Sequence, residues 1–100
     1  MKIEIQSLHF TAQTALTTFV TEKVNKLSLH DDAIIAAHVI LKLDNSTTNE
    51  NKVCEIILSV PGNDLFAKRQ CESFEEATLQ VIDALEEQIR KLHKNHFIHS

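Results

Sequence analysis

Apolar and polar residues alternate at the start of the chain. Met1, Ile3 and Ile5 fall on one face, and Lys2, Glu4 and Gln6 on the other. This period-two run predicts a strand over Lys2–Gln6. The period then changes. Leu16, Val20, Val24 and Leu27 recur three to four residues apart, with Phe19 on the flank. That stripe predicts a core-facing helix. It should start between Thr11 and Thr14, where a threonine hydroxyl can cap free backbone N–H groups, and end near Ser28. Alternation returns over Ala33–Leu43, with Ile35, Ala37, Val39, Leu41 and Leu43 on one face. The opposite face (Ile34, Ala36, His38, Ile40, Lys42) is still partly apolar, which suits a central strand. Asp44–Asn51 holds no apolar residue and reads as a solvated connection. A third strand spans Lys52–Val60 and a fourth Asp64–Cys71. Between them stand Pro61 and Gly62, the only proline and glycine in the chain, at a tight turn. The last stripe is Phe74, Ala77, Val81, Leu85, Ile89 and Leu92. It predicts an amphipathic helix of about six turns. Ser73 with Glu76 forms a capping box at its start.

The order is β-α-β-β-β-α, an α+β fold. Short loops make the last three strands antiparallel neighbours. The first strand reaches the second through a helix, which suits a right-handed parallel crossover. The result is a four-stranded mixed sheet with two helices on one face and the other face free. Residues 1–95 form one domain, and 96–100 a short tail.

A chain of 100 residues is long enough to bury roughly 60–70% of its unfolded surface and fold alone. No apolar run reaches about 18 residues, so no membrane span is expected. The alternating N-terminus lacks the apolar core of a secretory signal, which makes a cytoplasmic location the default. Two cysteines, Cys54 and Cys71, are too few for a disulfide framework. Cys54 shares the apolar face of its strand with Ile56, Leu58 and Val60, as a buried small hydrophobe. Cys71 sits just before the last helix. Asn45-Ser46-Thr47 matches a glycosylation sequon, idle without secretion.

Charge gives two opposed indications. The net charge of −4 and pI of 5.8 are unlike those of a nucleic-acid-binding domain. Tyrosine and tryptophan are absent, so a stacking platform for single-stranded bases is poorly supplied. Yet Lys23 and Lys26 lie on one side of the first helix, and Arg90, Lys91 and Lys94 cluster late in the second. Lys68 and Arg69 on the fourth strand can add to them. Side by side, these residues suit phosphate contacts, which give position and affinity without sequence choice. A bland account competes. The second helix carries Glu75, Glu76, Asp83, Glu86 and Glu87 first and its bases last, which complements the helix dipole. Glu86–Arg90 and Glu87–Lys91 are favourable i,i+4 pairs, each worth about 0.2–0.5 kcal/mol. Spacing alone favours this solvated, self-paired helix.

Other constellations are weaker. His30-Asp31-Asp32 has acid–base and metal-ligating side chains, but a polar helix-to-strand turn accounts for it. His93, His96 and His99 recur every three residues without an evident further ligand. His38 sits mid-strand. No glycine-rich phosphate loop, nucleophile motif or Cys-x-x-Cys is present. No enzyme, cofactor, metal or small-molecule substrate is therefore expected.

Three segments carry a resemblance over essentially the whole chain. They are Phe19-Val20-Thr21-Glu22-Lys23-Val24-Asn25-Lys26-Leu27, then Val60-Pro61-Gly62-Asn63-Asp64-Leu65-Phe66-Ala67, then Ser73-Phe74-Glu75-Glu76-Ala77 with Ile82-Asp83-Ala84-Leu85 and Gln88-Ile89-Arg90-Lys91. In order and spacing they resemble the short ribosome hibernation-promoting factors, also called ribosome-associated inhibitors or subunit-interface proteins. The resemblance implies a fold similar to a double-stranded-RNA-binding domain with an added first strand. It implies binding to the small ribosomal subunit in the channel used by messenger and transfer RNA. Translation would be blocked and idle ribosomes preserved under starvation or in stationary phase. Carried over residue by residue, the rRNA-binding positions are Lys23, Lys26 and Lys91, with Arg90 and Lys94 as neighbours able to serve.

The chain also departs from the family. Members often have basic residues where this chain has Ala84 and Glu87, so the expected footprint shifts toward the end of the second helix, or ribosomal proteins carry more of the affinity. The few residues after that helix cannot supply the C-terminal dimerisation domain of long members, so direct ribosome pairing by this chain alone is not expected. Two rival readings remain. One is a protein-interaction module using the free sheet face and acidic helix surface. The other is a small enzyme using His30 and Asp32.

Overall fold

The computed structural model describes the backbone of residues 1–99 and the side chains of residues 1–93. Its elements are β1 (Lys2–Leu8), α1 (Thr14–Asn25), a 3-10 turn (Lys26–Leu29), β2 (Ala36–Leu43), β3 (Lys52–Val60), β4 (Asn63–Cys71) and α2 (Phe74–His99). The sheet order is β1-β2-β3-β4. The β1–β2 pair is parallel, and the other two pairs are antiparallel. A parallel pair needs a crossover, and α1 supplies it.

Strand periodicity decides which face the helices cover. Ala37, Val39, Leu41, Cys54, Ile56, Leu58, Leu65 and Ala67 are buried and share one face. Val20, Val24 and Leu27 from the α1 segment join the same core, as do Ala77, Val81, Leu85 and Ile89 from α2. Both helices therefore cover one sheet face. Each Leu or Ile fully buried here contributes about 1.5–3 kcal/mol from apolar burial. Among the described residues, one polar residue, Thr78, is fully buried in this core. Its hydroxyl donates to the Phe74 carbonyl at 2.7 Å, so it carries no unsatisfied donor.

The turns follow local chemistry. Val60 pairs with Asn63, leaving Pro61 and Gly62 as the hairpin loop, with Gly62 at φ 84°. Ser73 Oγ accepts the Glu76 backbone N–H at 3.1 Å and so caps α2. α1 starts at Thr14, inside the expected window, but without the expected threonine cap. Its cap position is Gln13 and has no side-chain cap bond, while the Thr17 hydroxyl donates back to the Thr14 carbonyl at 3.0 Å. β2 begins three residues later than the alternation suggested. Asp31 Oδ1 accepts the Ala33 N–H at 2.8 Å, and this local turn keeps the chain out of the ladder. Ile34 is consequently buried and Ile35 is 60% exposed, the reverse of their expected faces. β1 extends past Gln6 because Leu8 still pairs with Lys42. At the other end, α2 runs on to His99 through most of the expected tail.

The two helices run in the same direction. Near their N-termini, the rings of Phe10 and Phe74 stack at 4.5 Å between centroids, with planes 11° apart. Toward their C-termini, His30 Nε2 lies 2.7 Å from Glu86 Oε2, and His93 Nε2 lies 3.1 Å from Asp31 Oδ2. The basic residues near the ends of α1 and α2 therefore lie toward one end of the helical layer.

Candidate nucleic-acid interface

Lys23 lies in the last turn of α1, and Lys26 opens the 3-10 turn that follows. The spacing of three places them together on one flank. Lys26, nearby and of like charge, pulls the Lys23 amine below the ordinary lysine value. Lys23 Nζ also stands 5.4 Å from the centre of the Phe19 ring, a cation–π arrangement. Neither lysine makes an ion pair among the described residues. Two cations on one flank, with no ion-pair partner among the described residues, leave a local positive surface. The negative end of the α1 dipole offsets part of their repulsion.

The α2 cluster is less uniform. Lys91 Nζ is 3.6 Å from Glu87 Oε1, so this expected i,i+4 pair is formed. The other expected pair is not. Glu86 turns to His30 instead, and exposed Arg90 has no ion pair among the described residues. Arg90 and Lys91 are consecutive, so they point about 100° apart around the helix. Lys91 lines a groove of about 450 Å³ between α2 and β4, shared with Arg69, Asp83 and Glu87. Lys68 projects onto the opposite, open sheet face in register with Glu55, so of the Lys68-Arg69 pair only Arg69 joins the groove. Lys94 lies outside the residues whose side chains are described.

The structure thus joins Lys23 to Lys26 and sets Arg69 beside Lys91. It also reveals acidic side chains within the second group. Ala84 stands in the same groove as a neutral residue. This half of the site is electrostatically mixed, and Arg90 is its least compensated cation among the described residues.

The His30-Asp31-Asp32 turn serves as a tie to α2. Its two histidine–carboxylate contacts bridge residues distant in sequence, and no local spacing could have shown them. The Ala33 backbone N–H, followed by the His93 ring, holds the Asp31 carboxyl below the usual carboxylate value, against the opposing effect of burial. Among the described residues, no group of three or more His, Cys, Asp or Glu side chains is placed to hold a metal ion. Cys54 and Cys71 are free and buried. Burial pushes the Cys54 thiol up to about 11, far from a reactive thiolate at neutral pH. No described helix is long and apolar enough to cross a membrane.

A single-layer mixed sheet, backed by two parallel-running helices with cations near one end, defines a small α+β domain. The chain belongs to the Sigma 54 modulation protein / S30EA ribosomal protein family, whose model matches residues 3–96. A ribosome hibernation promoting factor of Pseudomonas putida is 30% identical over 91 residues, covering 91% of this chain and 85% of that protein. Two solved structures share the fold. A ribosomal subunit interface protein from Coxiella burnetii superposes with a TM-score of 0.82 at 18% identity, covering 94% of this chain and 99% of that one. The N-terminal domain of Thermus thermophilus Protein Y gives 0.78 at 22% identity, covering 92% and 99%.

Proposed function

We propose that this chain is a translation inhibitor of stress or stationary phase that binds the small ribosomal subunit. It occupies the channel used by messenger and transfer RNA and stabilises idle ribosomes. It acts in the cytoplasm by steric occupation, without catalysis, cofactor or small-molecule substrate. Lys23, Lys26, Arg90, Lys91 and Lys94 meet rRNA phosphates, with ribosomal proteins as further contacts. The observation that carries this reading is the Lys23–Lys26 pair, two cations three residues apart at the end of α1 that make no ion pair among the described residues. Family membership supplies the ribosome as the partner.

The acidic net charge of −4 fits an affinity built on a few local phosphate contacts. Each contact contributes about 0.7–0.9 to the slope of log affinity against log salt. A competition experiment tests the location. Labelled protein is bound to vacant small subunits and to subunits preloaded with messenger and transfer RNA. The reading requires saturable binding to the vacant subunits and exclusion from the loaded ones. Equal binding to both would remove the channel from the account.

A further inference from the structure

A further interaction surface lies along β4. This strand forms one edge of the sheet and pairs continuously with β3 from Asn63 to Cys71. It carries neither proline nor bulge, and its guards are the charged side chains of Asp64, Lys68 and Arg69 and the Gln88 side chain from α2. The direction of its free groups follows from the ladder. The Ser59 carbonyl accepts the Ile35 N–H at 2.8 Å, so Ser59 directs its backbone toward β2. Antiparallel alternation then makes Ser59–Asp64, Ile57–Phe66 and Glu55–Lys68 the pairs without mutual hydrogen bonds. Asp64, Phe66 and Lys68 therefore direct their backbone N–H and C=O groups away from the sheet. Two side-chain contacts mark that direction. Gln88 Nε2 donates to the Phe66 carbonyl at 2.8 Å, and Arg69 Nη1 donates to the Lys68 carbonyl at 2.8 Å.

The side chains along this edge are self-complementary in one register. We propose that β4 pairs with β4 of a second copy, antiparallel about a two-fold axis through Phe66. Phe66, 49% exposed, then faces its own copy, an aromatic cross-strand pair. Asp64 faces Lys68 of the second copy, and by symmetry Lys68 faces its Asp64. Centring on Asp64 or Lys68 instead would set like charges face to face. Pairing exchanges the two side-chain donors for strand N–H donors and makes one eight-stranded sheet. The helical layer agrees with this arrangement. Asp83, Glu87 and Lys91 line the flank of α2 beside β4. The axis sets the second α2 antiparallel to the first, so the acidic half of each runs beside the basic half of the other.

The test is sedimentation equilibrium of the full chain as wild type, Lys68→Asp, Asp64→Lys and the double exchange. Circular dichroism checks that each variant is folded. The wild type is expected to dimerise. Each single reversal weakens the dimer by about tenfold, because it creates two like-charge pairs, and the double exchange restores it. A second readout fixes the register without altering these charges. Phe66→Cys should cross-link on mild oxidation, since directly opposed residues lie about 5.5 Å apart between Cα atoms. Asp64→Cys should not, because the two copies of position 64 stand about 13 Å apart along the paired strands, beyond disulfide reach. A wild type that stays monomeric at millimolar concentration would overturn the proposal. So would a dimer indifferent to single reversals, or cross-linking at position 64 equal to that at position 66.

Discussion

Asp31 shows how one carboxylate fixes the path of a segment. It accepts the Ala33 N–H and meets His93 from α2. Both contacts favour the ionised form and hold its pKa below 3.8. Such a depressed acid stabilises the fold fully above its unfolded value, and the stabilisation is lost as pH falls through the lower native value. Asp31→Asn keeps an acceptor for Ala33 but removes the charge. The variant should be less stable than wild type at neutral pH in urea unfolding. The two should converge as pH is lowered past 3.8, and a constant gap across that range would discard this assignment. Cys54 illustrates burial as the dominant cause, outweighing the opposing Thr78 hydrogen bond. With its thiol near 11 and no solvent path, it should resist an aromatic disulfide reagent in the native protein and react once urea unfolds it. Leu85→Ala, at a position with no exposure, should cost about 2–5 kcal/mol in the same denaturation measurement.

Helices and strands differ in how openly their ends are signalled. α2 has a hydroxyl cap at Ser73, and Ser73→Ala should lower stability by about 1 kcal/mol. α1 has no side-chain cap, so Thr11→Ala should stay within about 0.5 kcal/mol. Equal losses in the two variants would contradict this difference between the helix starts. Gly62→Ala meets no atom within 4 Å, so its cost, roughly 1–2 kcal/mol, comes from the positive φ alone. These elements also show what the sequence made legible. The β3–β4 hairpin was readable because Pro61-Gly62 punctuates two alternating runs, and α2 because its apolar stripe recurs over many turns. The start of β2 was not, because the Asp31–Ala33 hydrogen bond outweighs the alternation of Ile34 and Ile35. The threonine cap of α1 was not either, since several hydroxyls in sequence do not reveal which one, if any, bonds. Of the candidate site, the Lys23–Lys26 pairing followed from spacing. The loss of the Glu86–Arg90 pair did not, because His30 reaches Glu86 from a different part of the chain.

For the whole molecule, what matters is the placement of charge on a rigid frame. The chain is acidic overall, yet its topology sends both helices the same way and gathers their terminal cations toward one end. That end is tied by two histidine–carboxylate contacts between the α1–β2 connection and α2. On the proposed function, affinity for a phosphate-rich partner rests on a few local cations while the acidic remainder of the surface repels. Lys91 shares its charge with Glu87, whereas Lys23, Lys26 and Arg90 have no such partner among the described residues. Lys23→Ala with Lys26→Ala should therefore weaken ribosome binding more than Lys91→Ala, by at least about tenfold for two lost phosphate contacts. Equal effects would shift the footprint toward the β4 groove. The most direct test of ribosome binding is co-sedimentation with purified small ribosomal subunits across a salt series. Wild type is compared with Lys23→Glu/Lys26→Glu and with Arg90→Glu/Lys91→Glu. The account predicts saturable binding that weakens as salt rises and is lost in both charge-reversed variants. Wild-type protein that fails to bind at low salt, or binding that charge reversal leaves intact, would contradict it.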